Sequence, residues 1–341
     1  MAERASGGVW QSSSVGARLM RGALVPASWG YAAVVAARNA AYDHGWLRAH
    51  QLALPAISVG NLTVGGTGKT PVSAYIAARL AERGMKPAIV MRGYGSDETL
   101  VHARLNPEVP VVIAADRVRG ALDARTAGSD IVVLDDAFQH RRARRDADVV
   151  LLSAELAGPV RPLPAGPWRE PLTSLARASL IVVTRKSASP VRARELYLHA
   201  RRFAPAAGGA IVHLAADRLV AWGSGDVTEL TTIRDRRVVA AAAVGDPRAF
   251  AAQLADAGAR VELVARRDHH PYSAQDALAL ARRAEGDSMI VCTLKDAVKL
   301  GPLWPREAPP LWYLSQRVVV ESGAADLDGI LATLVALKHA N

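Results

Sequence analysis

The chain has 341 residues, 50% of them hydrophobic and 22% charged, with a formal net charge of +10. That length and apolar content exclude a disordered chain and a single small core, and they suit two α/β domains. The charge alone admits nucleic acid, an anionic membrane surface or a phosphorylated substrate. With only three phenylalanines and no interleaving of aromatic and basic residues, a nucleic-acid partner is not expected.

Residues 1–50 stand apart. Between Arg21 and Arg38 runs the uncharged stretch Gly22-Ala-Leu-Val-Pro-Ala-Ser-Trp-Gly-Tyr-Ala-Ala-Val-Val-Ala-Ala37, attended by Arg18, Arg48, Tyr42 and Trp46. It is shorter than the ~20 residues that a membrane span needs, and Pro26 breaks it too early for a signal-peptide core. Two readings stay open. One is an interfacial helix with basic and aromatic residues at headgroup level; the other is a helix packed on the protein's own core.

The stretch Ile57-Ser-Val-Gly-Asn-Leu-Thr-Val-Gly-Gly-Thr-Gly-Lys-Thr-Pro71 reads as a strand, a glycine-rich loop and a helix start. Backbone N–H groups of such a loop converge on one point, where the helix dipole also favours an anion. The nucleotide-binding residues are therefore Thr63, Val64, Gly65, Gly66, Thr67, Gly68, Lys69 and Thr70, with Lys69 reaching the β/γ-phosphates and the Thr70 hydroxyl on Mg²⁺. Thr63 stands where the strict G-x-x-x-x-G-K-[ST] pattern has its first glycine.

Val72, Ile76 and Leu80 then recur at helical spacing up to Gly84, and Pro87-Ala-Ile-Val-Met91 follows as a strand, completing a βαβ unit. Further runs at Val109–Ile113, Ile131–Leu134, Val149–Leu152 and Leu180–Val183 are continuously apolar, as strands buried on both faces are. The segment Ile131-Val-Val-Leu-Asp-Asp136 ends in two carboxylates, with Gln139 and His140 close behind. Ligands bind at such strand ends in open α/β sheets.

Around Pro205-Ala-Ala-Gly-Gly209 the chain turns loop-like. Strands are expected at Ile211–Leu214, Val238–Val244, Val261–Val264 and Met289–Thr293, with helices from Pro247 to Ala257 and from Leu327 to Lys338. Cys292, the lone cysteine, lies in an apolar run and reads as a buried hydrophobe. The fold expected is α/β: a P-loop NTPase-like parallel sheet domain plus a second, smaller α/β domain. Residues 1–50 form an interfacial helical segment, 51–205 the P-loop domain and 206–341 the second domain, whose last helix is a candidate to return to the first.

Four separated segments then point to one family: Val59 to Pro71, Arg92-Gly-Tyr-Gly95, Asp135-Asp-Ala-Phe-Gln-His140 with Arg145-Asp146, and Leu163-Pro-Ala-Gly-Pro-Trp-Arg-Glu-Pro-Leu172. Asp268-His-His-Pro-Tyr272 and Thr293-Leu-Lys-Asp-Ala-Val-Lys299 add two more. In this order they resemble the tetraacyldisaccharide 4'-kinases of lipid A biosynthesis, in which the Thr63 departure is itself usual. The resemblance implies an ATP- and Mg²⁺-dependent kinase that phosphorylates the 4'-hydroxyl of a tetraacyl glucosamine disaccharide 1-phosphate, giving lipid IVA. It also implies a peripheral enzyme at the cytoplasmic face of the inner membrane, with the lipid and the membrane surface as partners and no obligate protein partner.

Carried over by position, Asp97 matches the family's catalytic base and His269 its partner, with Lys69 acting on the phosphates. Of the two adjacent histidines the pattern favours His269, and a role for His270 stays open. A carboxylate takes the proton of an attacking hydroxyl, and a neighbouring imidazole orients it. With the two residues assigned to different domains, their pairing is expected to need domain closure. Thr70, Asp135, Asp136, Gln139 and Glu170 are the Mg²⁺ candidates, and Asn61, Glu98, His140 and Arg169 those for substrate. The chain departs from the family in the short link from Gly95 to Ser96-Asp-Glu98 and in Ala137, where glycine is common. A nucleotide-hydrolysing switch would share the loop and the acidic pair. It would also carry a guanine-recognition motif, and Thr293-Leu-Lys-Asp296 has its lysine in the wrong place.

Overall fold

The computed structural model describes Trp10 and residues 14–340, apart from residues 94, 95, 157, 159 and 285. The Tyr94-Gly95 half of the Arg92-Gly-Tyr-Gly95 motif thus lies outside the described residues. The elements begin with helices α1 (Val15–Ala23) and α2 (Val25–Asp43), strands β1 (His50–Gln51) and β2 (Ala56–Asn61), and α3 (Lys69–Ala81). They continue with β3 (Pro87–Met91), α4 (Ser96–Leu105), β4 (Val111–Ile113), α5 (Arg117–Thr126), β5 (Ile131–Asp135), β6 (Ala143–Arg144), β7 (Ala147–Ser153), β8 (Leu180–Arg185) and α6 (Pro190–Arg201). The remainder are β9 (Gly208–Ala221), β10 (Val227–Glu229), β11 (Arg237–Ala242), α7 (Pro247–Asp256), β12 (Arg260–Ala265), α8 (Ala274–Ala281), β13 (Met289–Thr293), α9 (Leu294–Leu300), β14 (Leu311–Ser322) and α10 (Ala324–Ala340). Two compact units emerge, one of residues 1–93, 106–212 and 320–341, the other of residues 94–105 and 213–319, with the division falling inside β9 and β14.

In the first unit the strand order is β9-β8-β7-β2-β5-β3-β4, parallel from β8 to β4. Every residue of β2, β3 and β5 is buried, which is why these strands read as unbroken apolar runs. The pleat sends alternate residues to opposite faces. Val90, Val132 and Leu134 meet Ala121 and Ala124 of α5, while Val150, Leu152, Ile181 and Val183 meet Ala193 and Ala200 of α6 together with Leu62, Phe138 and Trp168. At Gly60 a Cβ would stand 2.5 Å from that of Phe138, so glycine there lets the chain after β5 lie directly against the end of β2. Since Val59 pairs with Asp135 in the sheet register, the phosphate loop after β2 and the acidic pair after β5 leave adjacent strands at the same edge.

The second unit orders its strands β12-β11-β13-β14-β9, with β12 to β14 parallel and β10 antiparallel to β9. Val239, Ala241, Ile290, Cys292, Leu300 and Tyr313 fill one face, and Val238, Ala240, Ala242, Phe250, Leu254 and Val291 the other. Cys292 is the buried free thiol that its apolar run implies. Helix α4, though it falls within residues 51–205, belongs to this unit and packs on α9. Both units are α/β with parallel-dominated sheets.

Candidate active-site residues

The phosphate loop ends in a helix start unlike its neighbours. Helices α5, α6, α7, α8 and α9 open on Asp116, Ser189, Asp246, Ser273 and Thr293, each of which accepts a backbone N–H of its own first turn. Helix α3 opens on Gly68 at φ +84°, with no side-chain cap. Its first-turn donors therefore face outward from the loop without an internal acceptor, which is how a helix start receives a phosphate. Gly65 also adopts a left-handed φ, of +114°, whereas Thr63 does not, so the glycine of the strict motif is not required at that position. Thr63 instead forms a bridge with Trp168, and Val64 N–H donates to the Pro167 carbonyl at 2.7 Å. The Leu163-to-Leu172 segment is thereby laid against the loop.

The side chains follow from that scaffold. Asn61, at the end of β2, donates to Thr67 Oγ1 at 2.8 Å and accepts from Lys69 Nζ at 3.3 Å. Thr70 is buried in the first turn of α3, and Ser73 one turn on donates to Asp135 Oδ1 at 3.0 Å. Asp136 sits at φ +48°, takes two hydrogen bonds from Arg169 Nη1 at 2.9 and 3.0 Å, and lies 3.8 Å from Lys69 Nζ. Burial opposes its charge, but Lys69, Arg169 and Arg117 together hold its carboxyl below the usual range. Gln139 donates to the Asn61 carbonyl at 2.9 Å. A hydroxyl, two carboxylates and two cations are thus gathered at one sheet edge. They form an oxygen-rich set fit for a hard dication beside a phosphate cradle. Among the described residues no group of three or more His, Cys, Asp or Glu side chains is poised for a metal, so such an ion would rely on Thr70, the carboxylate pair and ligand oxygens.

Two further expected residues are Glu170 and His140. Glu170, expected among the metal ligands, is buried with one oxygen held by Asn39 Nδ2 at 2.9 Å and by Arg177 Nη2 at 2.8 Å. This carboxylate anchors α2. The same helix donates from Tyr31 to the Arg169 carbonyl at 3.2 Å and from Arg38 to the Gln139 carbonyl at 2.8 Å. His140, expected to face phosphate, has a buried Nε2 with no hydrogen-bond partner. Burial first, then Arg117, pushes its pKa down to about 4, which leaves the ring neutral near pH 7.

Asp97 and His269 meet within the second unit. Asp97 is buried in the first turn of α4, and its Oδ2 lies 3.0 Å from His269 Nδ1. The pairing needs no domain closure, because α4 packs on α9 inside the unit that also holds His269. His269 sits at φ +56°, a left-handed conformation that a non-glycine residue rarely keeps without a local constraint. Burial raises the Asp97 carboxyl, but His269, Lys299 and Lys295 outweigh it and leave the group below its usual value. The same hydrogen bond raises the His269 imidazole. His270 lies apart from this pair, near Asp276 at 3.4 Å. Glu98 is salt-bridged to Lys295 at 3.0 Å.

The family model described as Tetraacyldisaccharide-1-P 4'-kinase matches residues 20–336 of this chain. The chain belongs to that family. Relatives named tetraacyldisaccharide 4'-kinase include one from Geobacter metallireducens, 38% identical over 85% of this chain and 91% of its own length. Another, from Halorhodospira halophila, is 36% identical over 98% of this chain and 97% of its own. Among solved structures, LpxK of Aquifex aeolicus, determined in complex with ATP, aligns with a TM-score of 0.71 at 28% identity, over 92% of this chain and 99% of that one. Membership in that family makes the protein a kinase of lipid A biosynthesis. Within this kinase, sequence reasoning missed Arg117, which is only 1% exposed and donates to the carbonyls of Asp135 at 3.2 Å and Ala114 at 3.1 Å beneath the acidic strand end. It also gave no role to Lys295 and Lys299, although the motif that holds them had been singled out.

Proposed function

We propose that this kinase binds ATP on the loop from Thr63 to Thr70 and transfers its γ-phosphoryl group to the 4'-hydroxyl of a tetraacyl disaccharide 1-phosphate, giving lipid IVA. The uncapped start of α3 supports the donor side, with Lys69 and Arg169 supplying positive charge for the phosphates. Thr70, Asp135 and Asp136 would hold Mg²⁺, which supplies charge neutralisation on the phosphate oxygens when bound. Asp97 accepts the proton of the 4'-hydroxyl as its oxygen attacks phosphorus, and ADP leaves. His269 Nδ1 keeps the accepting carboxylate oriented. The observation that carries this reading is the Asp97–His269 hydrogen bond at 3.0 Å, since a buried carboxylate aligned by an imidazole is the equipment for activating a hydroxyl acceptor.

Membrane attachment belongs to the same reading. Among the described residues no helix is long and apolar enough to cross a membrane. Helix α2 turns Ser28, Tyr31, Arg38 and Asn39 to the first unit and leaves Pro26, Ala27, Trp29, Gly30, Ala33, Val34, Ala36 and Ala37 exposed as an uncharged stripe. Val15, Leu19 and Met20 on α1 are exposed as well. Such a surface suits the cytoplasmic face of the inner membrane, where the acceptor's acyl chains are embedded. The test is transfer of radiolabelled γ-phosphate from ATP to the tetraacyl disaccharide 1-phosphate in detergent micelles. A labelled lipid is expected, and hydrolysis without transfer would overturn the reading.

A further inference from the structure

We infer that Lys299 is a positioning residue: its buried ammonium, lodged between Asp97 and Asp296, fixes the Asp97 carboxylate in place. This rests on the proposed role of Asp97 as the base. Lys299 reaches from the last turn of α9, and its Nζ lies 3.8 Å from Asp97 Oδ2 and 3.9 Å from Asp296 Oδ1. That Nζ is buried and makes no hydrogen bond. It stands over the Tyr272 ring, 5.4 Å from the centroid. An ammonium buried without hydrogen bonds is costly unless opposite charge and ring electrons compensate it, so its place is set by those neighbours.

The two flanking carboxylates differ. Asp296, 0% exposed, accepts from Ala243 N–H at 3.1 and 3.2 Å, from Thr293 Oγ1 at 2.6 Å and from Tyr272 OH at 3.2 Å. Those donors pin it, and it serves as the fixed anchor for Lys299. Asp97 Oδ2 is shared between Lys299 and His269 Nδ1. The other charged groups around the pair are Lys295, whose ammonium is engaged by Glu98 at 3.0 Å, and Asp268, 4.0 Å from His269 Nε2. Lys299 therefore opposes protonation of the carboxylate from a second side, so the group stays ionised and in place to lower pH than His269 alone would hold it.

The test is the pH dependence of kcat, at saturating ATP and lipid, for the full chain and for Lys299→Met and Lys299→Arg. In the methionine variant the acid limb should move up by about one pH unit or more. Its deficit should be tenfold or greater on the acid side and shrink as pH rises, with KM for ATP unchanged. Lys299→Arg should return the limb toward that of the parent. If Lys299→Met does not fold, Lys299→Met/Asp296→Asn removes both buried charges together and should show the same displaced limb. An unmoved limb, or an equal loss at every pH, overturns the inference. Asp97→Asn separates the two ideas: retained transfer in that variant overturns the base assignment itself. Abolished transfer combined with an unmoved limb in Lys299→Met sinks only the role of Lys299.

Discussion

Asp97 and His269 make opposite contributions to stability as pH changes. Asp97 is held below the ordinary carboxyl value, so its stabilisation is present above ~4 and is lost as pH falls through the depressed value. His269 is held above its ordinary value, so its contribution is complete below ~6.5 and is lost as pH rises through the raised value. Both contributions are complete from about pH 4 to about pH 6.5. Asp97→Asn should therefore lower the thermal midpoint most in that interval, with the gap narrowing on either side. A gap that stays flat from pH 4 to pH 9 would show that the pair does not couple in the folded chain. At this scale the pair was legible only through the family resemblance, which carried each member over by position. Arg117 was not: it sits in Asp116-Arg-Val-Arg119, where nothing in the spacing tells the buried arginine from Arg119, which pairs on the surface with Asp123 at 2.8 Å.

At the scale of elements, continuous apolar runs marked the parallel strands, because burial on both faces leaves little room for polar residues. Helix α4 was harder to place. Its partner α9 lies almost two hundred residues further along the chain, and local pattern carries no record of so distant a packing. Helix α2 had left two readings open; one of its faces is hydrogen-bonded within the first unit and the other is apolar and exposed. Trp29 and Val34 stand 69% and 68% exposed on that second face, so changing them disturbs no internal contact of consequence. Trp29→Glu/Val34→Glu should leave the thermal midpoint within a few degrees of the parent. Binding to phosphatidylethanolamine–phosphatidylglycerol vesicles, read by flotation, should fall about tenfold or more, since two apolar anchors are lost and two negative charges gained. Undiminished flotation would remove α2 from the membrane reading.

For the whole molecule, the two units hold different halves of the proposed site. The first holds the loop, Lys69, Thr70 and the acidic pair; the second holds Asp97, His269 and Lys299. This division was only partly visible in the sequence. The loop announces a nucleotide through residue types and spacing, whereas helix α4 joins the second unit through packing that no local pattern encodes. Separable defects follow. Lys69→Ala removes a cation from the phosphate cradle, so it should weaken ATP binding and lower transfer by orders of magnitude, leaving the pH-dependent stability of the Asp97–His269 pair as in the parent. In the proposed reaction Asp97 acts on the acceptor, so Asp97→Asn should lower kcat by orders of magnitude while ATP still raises the thermal midpoint as it does in the parent. Measuring midpoint shifts with ATP alongside transfer rates for both variants decides the matter. If Asp97→Asn abolished the ATP-induced shift, Asp97 would belong to nucleotide binding. If Lys69→Ala retained transfer within a few-fold of the parent, the loop would not be the donor site.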